Sequence, residues 1–187
     1  MDDALPDDPT SLAGTVLASS PELLDPNFRQ TLIFIANHDA EGAFGLVLNR
    51  PLNKCLSDVA TGPDLSKVIA QVPVYQGGPV RPEHLLVALF TQGTREDEIA
   101  CHLDAPLDVT EDAIQSGKGW VRAFAGYAGW GEGQLEDELA NDAWQVCTPD
   151  PTLFDPRLTA GLWPFFISED DSWRDLLPHL PNDPSRN

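Results

Sequence analysis

The segment Thr31–Ala36 reads TLIFIA, apolar almost without interruption. A strand that is apolar at every position, rather than at alternate ones, has both faces buried. Turn residues follow over Asn37–Gly42, and a second apolar run returns over Ala43–Asn49 (AFGLVLN). The two runs predict a hairpin with a loop of about six residues. Pro51 closes the return strand, because proline supplies no N–H to a ladder. The 187 residues suit one domain with a substantial core.

Short β-prone runs recur along the rest of the chain. Thr15–Ala18, Val74–Gln76, His84–Phe90, Glu98–Cys101, Leu107–Val109, Trp120–Tyr127 and Trp144–Thr148 read as strands. Helices are few and short. Asp64–Gln71 places Leu65, Val68 and Ile69 at helical spacing. Thr110 is a candidate N-cap for Glu111–Ser116, stopped by Gly117. A helix over Gly133–Ala140 sets Leu135 and Leu139 on one face and Glu136, Asp137 and Glu138 off it, with Asn141 as its stop. Near the end, Ser168–Asp171 resembles a capping box before a Trp173, Leu176, Leu177 stripe that ends at Pro178. The pattern predicts an α+β fold, with residues 11–180 as one domain. Residues 1–10 read as a disordered acidic tail and 181–187 as a flexible one.

Charge narrows the function. Eleven basic and 30 acidic residues leave a net charge of −19. Nucleic-acid binding draws on Lys and Arg to neutralise phosphates, and anionic membranes repel such a chain. Neither partner is expected. The first residues (MDDALPDDPT) lack a basic segment before an apolar one, and no apolar run approaches the length of a membrane span. A cytoplasmic protein is expected. Cys55, Cys101 and Cys147 are odd in number and form no CxxC pair, consistent with structural thiols. No P-loop, GxSxG or HExxH motif is present, and His38, His84, His102 and His179 lack metal-ligand spacing. No catalytic residue, cofactor or metal is expected.

The densest motif is Gly126–Gly133 (GYAGWGEG), four glycines in eight residues around Tyr127 and Trp130, with Gln134 next. Three readings stay open. It is a tight strand-to-helix turn, an anion cradle at a helix start, or a rigid recognition surface with aromatic anchors. Glu132, Glu136 and Asp137 weigh against the cradle. A second glycine turn stands at Gly77-Gly78, and Asn49-Arg50 precedes Pro51. Arg50 is a scarce cation, suited either to pairing with a carboxylate or to clamping an anion.

Four blocks stand in order: Leu24–Phe28 with Thr31; His38–Pro51, containing GAFGLVLNRP; Gly77–Val80 with His84–Leu86; and Gly126–Glu136, GYAGWGEGQLE. Together they resemble the AlgH/YqgE family of bacterial proteins over residues 11–178. The resemblance implies a bifurcated, mostly antiparallel sheet curled into a partial barrel. The family carries no established biochemical activity. Its label of transcriptional regulator comes from a genetic link to alginate control. The expectation is a monomeric, non-enzymatic regulatory or protein-interaction module acting through protein partners. The alternative is a small-ligand binder or unusual enzyme with a pocket near Arg50 and the Gly126–Gly133 turn. The candidate surface comprises His38, Asn49, Arg50, Gly77, Gly78, Tyr127, Trp130, Gly131 and Gln134. The segment Gly161–Ile167 and the acids after it diverge from the family pattern.

Overall fold

Leu32–Ile35 are all buried, with alternate residues facing two separate cores. The computed structural model describes residues 11–60, 65–95, 97–158 and 161–168. In it β1 (Val16–Ser19) lies antiparallel between β2 (Leu32–Asp39) and the last strand, β9 (Trp144–Cys147). Strand β2 continues into β3 (Gly42–Val47) as the expected hairpin. The strands run further than the turn-like sequence suggests. Asn37, His38 and Asp39 are in β2, and the connection is Ala40–Glu41 alone. The polar side chains satisfy one another there, with Asn37 Nδ2 donating to Asp39 Oδ2 at 3.0 Å and Asp39 Oδ1 accepting from the Glu41 N–H.

The remaining strands form the second half of the sheet. These are β4 (Pro51–Cys55), β5 (Pro73–Gln76), β6 (Val80–Gln92), β7 (Ile99–Leu103) and β8 (Gly119–Gly131). The first part of β8 lies between β5, parallel, and β6, antiparallel. Its last residues leave them and pair with β3, from Gly45↔Ala128 to Gly42↔Gly131. One strand thus belongs to both halves, and the sheet bifurcates and curls into a half-barrel, as expected. Pro51 opens the edge strand β4 rather than closing β3, a position that asks no ladder N–H of it.

Five short α-helices, α1 (Leu56–Val59), α2 (Lys67–Ala70), α3 (Leu107–Ser116), α4 (Gln134–Ala140) and α5 (Trp163–Phe166), and one 3-10 helix, Pro151–Phe154, complete the described elements. Leu107–Val109, expected as a strand, form the first turn of α3. Burial of Thr110 and Ala113 at helical spacing overrides the β preference of Val109. Thr110 is inside this helix and not its cap; its hydroxyl donates back to the Pro106 carbonyl at 3.0 Å. Gly117 ends the helix at φ 65°, as expected. The glycine-rich block is mostly strand: β8 runs through Gly131, and only Glu132–Gly133 turn the chain into α4. The tails, and all of the C-terminal capping box and stripe except Ser168, lie outside the described residues.

The fork in β8 explains the glycines. Gly126 has φ 71°, and a Cβ there would stand 2.6 Å from the Gly78 carbonyl oxygen and 2.7 Å from that of Val80. A Cβ on Gly78 would collide with the Tyr127 backbone. The two glycine turns of the sequence are therefore one crossing, where backbone meets backbone with no side chain between.

Candidate functional site

The structure distributes the candidate residues over three places. The first is the start of α4. His38 projects from β2, where its Nδ1 accepts the Leu12 N–H at 2.9 Å. Nε2 then carries the hydrogen and points at Glu136 Oε1, 2.7 Å away. The Glu136 carboxyl, bonded first by its own backbone N–H and then by His38, is held below the usual carboxylate range. Trp130 is buried, and its indole N–H donates to Glu138 Oε2 at 2.8 Å. Trp144 donates to the same oxygen at 2.7 Å. Gln134 supplies the remaining link, accepting from the Gly131 N–H and donating to Glu138 Oε1 at 3.0 Å. His38 through Glu136, and Trp130, Gly131 and Gln134 through Glu138, thus form two sets of hydrogen bonds that seat α4 on the sheet.

The second place is the glycine crossing. Gly77 donates its N–H to Ala125 and accepts from the Val47 N–H, stitching β3, β5 and β8 together. The Tyr127 ring packs against Phe44 with centroids 4.8 Å apart.

The third place holds Asn49 and Arg50, with a turn over Asp25–Gln30. Asn49 is buried and extends the β2–β3 ladder by side chain, accepting from the Leu32 N–H and donating to the Gln30 carbonyl, each at 2.9 Å. Arg50 Nη2 donates to the carbonyls of Pro26 (3.2 Å) and Arg29 (3.1 Å). Burial draws the guanidinium below its ordinary value, the neighbouring charge of Arg29 adds to that, and Asp25 opposes it. Phe28, on the same turn, reaches the first place: its ring lies 5.6 Å from Trp144 edge-on and 6.4 Å from Trp130. The Asp25–Gln30 turn is therefore gripped from both sides.

Beside this turn is a cavity of about 360 Å³, lined by Pro26, Arg29, Gln30, Asn49, Arg50, Gly161, Trp163 and Pro164. Two guanidinium groups meet at it in a chain of net charge −19. Among the described residues the Arg29 side chain makes no hydrogen bond, and Arg50 uses only Nη2. Gln30, also on the wall, is in the left-handed region at φ 55°. Left-handed non-glycine backbone persists only where the surroundings hold it, and it concentrates at ligand sites. The Gly126–Gly133 segment does not line this cavity, so the candidate residues do not share one concave site.

Sequence reasoning passed over Arg29, Glu138, Trp163 and Arg122. Arg122 is 2% exposed and donates to the Leu48 carbonyl at 2.9 Å and the Leu153 carbonyl at 2.7 Å. Burial pushes it down to about 10, so it remains a cation at neutral pH. Cys101 is pushed up to about 12 by burial, which leaves a thiol of low reactivity. No helix among the described residues is long and apolar enough to cross a membrane.

Known proteins match the whole of this architecture. The AlgH-like family model covers residues 16–184. A UPF0301 protein of Streptomyces avermitilis is 35% identical over 95% of this chain and 96% of its own. A UPF0301 protein of Hahella chejuensis is 37% identical over 77% and 80%. The solution structure of AlgH from Pseudomonas aeruginosa superposes with a TM-score of 0.60 at 32% identity, covering 94% of this chain and 97% of that one. The crystal structure of a Corynebacterium diphtheriae protein shares the fold, with a TM-score of 0.60 at 21% identity over 90% and 87%. On the match across its length and the likeness of its sheet, this chain belongs to the AlgH-like family.

Proposed function

We propose that this protein works by binding a small oxyanion, a carboxylate foremost, in the Arg29–Arg50 cavity, and that its regulatory output runs through protein partners in the cytoplasm. The pairing of two guanidinium groups with unused N–H donors at one cavity carries the reading. Like charges repel, and the fold holds them together by fixing Arg50 to two carbonyls of the turn that bears Arg29. An oxyanion relieves that repulsion and suits the planar fork of each side chain. The side chains of the glycine-rich motif support binding over turnover in a different way. Trp130 and Gln134 are tied to Glu138, and His38 is tied to Glu136.

Calorimetric titration with malonate and with inorganic phosphate tests the reading. The wild type binds malonate more tightly than phosphate, and Arg50→Gln weakens it by about tenfold or more. Arg29→Gln does the same without touching the turn's hydrogen bonds. Absence of heat with either probe, or unaltered affinity in Arg29→Gln, overturns it.

A further inference from the structure

The turn Asp25–Gln30 has the Arg29–Arg50 cavity on one side and the tryptophan pair beneath α4 on the other. It belongs to no strand and is exposed except at Phe28. Its own backbone bonds are local, from the N–H groups of Phe28 (3.0 Å) and Arg29 (2.7 Å) to the Asp25 carbonyl. A few side chains tie it to the rest of the molecule. On the cavity side Arg50 holds the carbonyls of Pro26 and Arg29, and Asn49 holds that of Gln30. On the other side the Phe28 ring leans on Trp130 and Trp144, whose own centroids are 6.0 Å apart. Both indoles end on Glu138 of α4. Arg29 is thus one peptide bond away from the residue that wedges the seat of α4.

Occupancy changes the forces on this turn. Burial first, and the Arg29 charge second, disfavour the Arg50 cation, so the two guanidinium groups push apart. An oxyanion bridging them replaces repulsion with attraction and draws Arg29 toward Arg50. The backbone carries Phe28 with it. Such a ligand interacts unequally with two positions of the turn, which is the condition for shifting a conformation. Close-packed side chains transmit strain, so a small displacement of Phe28 reaches the two indoles and Glu138. We propose that occupancy of the Arg29–Arg50 cavity is relayed through Phe28 to the seat of α4, making the bound oxyanion a regulator of the acidic face, Glu136 and Asp137, that this helix turns to solvent. The choice of ligand rests on the oxyanion reading above, whereas the link through Phe28 stands without it.

Nuclear magnetic resonance titration of the full chain with malonate is the test, read at the indole N–H signals. Trp163 lines the cavity and reports binding. Trp130 and Trp144 report the relay, and Trp120, stacked on Phe154, is the silent control. Malonate is expected to shift Trp163, Trp130 and Trp144 with one midpoint and to leave Trp120 in place. Hydrogen exchange of the α4 amides, which no ring current affects, slows about threefold or more with malonate. Phe28→Leu keeps an apolar side chain without the ring. In it Trp163 still responds to malonate, while the Trp130 and Trp144 shifts and the slowed α4 exchange disappear. Arg29→Gln removes the repulsion with no ligand present, and moves Trp130 and Trp144 in the direction malonate moves them in the wild type. A Trp163 shift without shifts at Trp130 and Trp144, or an undiminished response of α4 exchange in Phe28→Leu, overturns the relay and leaves the oxyanion reading standing. No shift at any indole overturns the oxyanion reading and with it the regulator. Trp130 and Trp144 unmoved in Arg29→Gln overturns the link itself.

Discussion

Glu138 looks like an ordinary surface acid in a run of acids, Glu136-Asp137-Glu138. Its carboxylate is instead the common acceptor for two indoles and one amide. Removing it strands two indole N–H groups that are shielded from water, since Trp130 and Trp144 are each 6% exposed. An unsatisfied buried donor costs about 1–3 kcal/mol. Glu138→Leu is therefore expected to destabilise the protein by about 3 kcal/mol, measured by urea unfolding, with altered near-ultraviolet dichroism from the two tryptophans. Trp130→Phe deletes only one donor and costs less. The sequence had no means of showing this link. The spacing of Leu135 and Leu139 identifies the buried face of α4, but not which polar residue beside it meets a tryptophan from a distant strand. The same holds for Arg29, whose approach to Arg50 is created by the turn and not by any local motif.

Elements were legible where one face or both were committed to a core. The hairpin of β2 and β3 declared itself because Leu32–Ile35 fill both cores. The end of α3 declared itself through Gly117. Turn-rich composition misled at Asn37–Asp39, where the polar side chains bond locally and allow the strand to continue. It misled again at the glycine block, where glycine serves a crossing between strands more than a turn. The crossing is testable at its tightest point. Gly126→Ala places a methyl group against the carbonyls of Gly78 and Val80 at a left-handed φ, and no flexible side chain is there to yield. A loss of about 3 kcal/mol or more in denaturant unfolding is expected, against a much smaller loss for Gly131→Ala, whose Cβ meets nothing within 4 Å.

At the scale of the whole molecule, the charge of −19 sets the environment of the Arg29–Arg50 cavity. The field repels polyanions at long range, while the Arg29–Arg50 cavity presents cationic groups at short range. A small anion screened by physiological salt is expected to enter, and a nucleic-acid duplex is expected to be repelled. Fluorescence anisotropy with duplex DNA at low salt is expected to show no association at micromolar protein. Tight binding with a steep salt slope would contradict this account of the surface.

The shared strand β8 also bears on how the chain reaches its fold. It begins at residue 119, so β1 to β7 leave the ribosome before the strand that unites them exists. Gly45 must find Ala128, and Val87 must find Ala123, across long stretches of chain. Such distant pairings are paid for in loop entropy before they return any contact, which makes assembly slow. Once β8 is in place, it alone among the strands pairs with both halves of the sheet, so a single calorimetric transition shared by the two halves is expected.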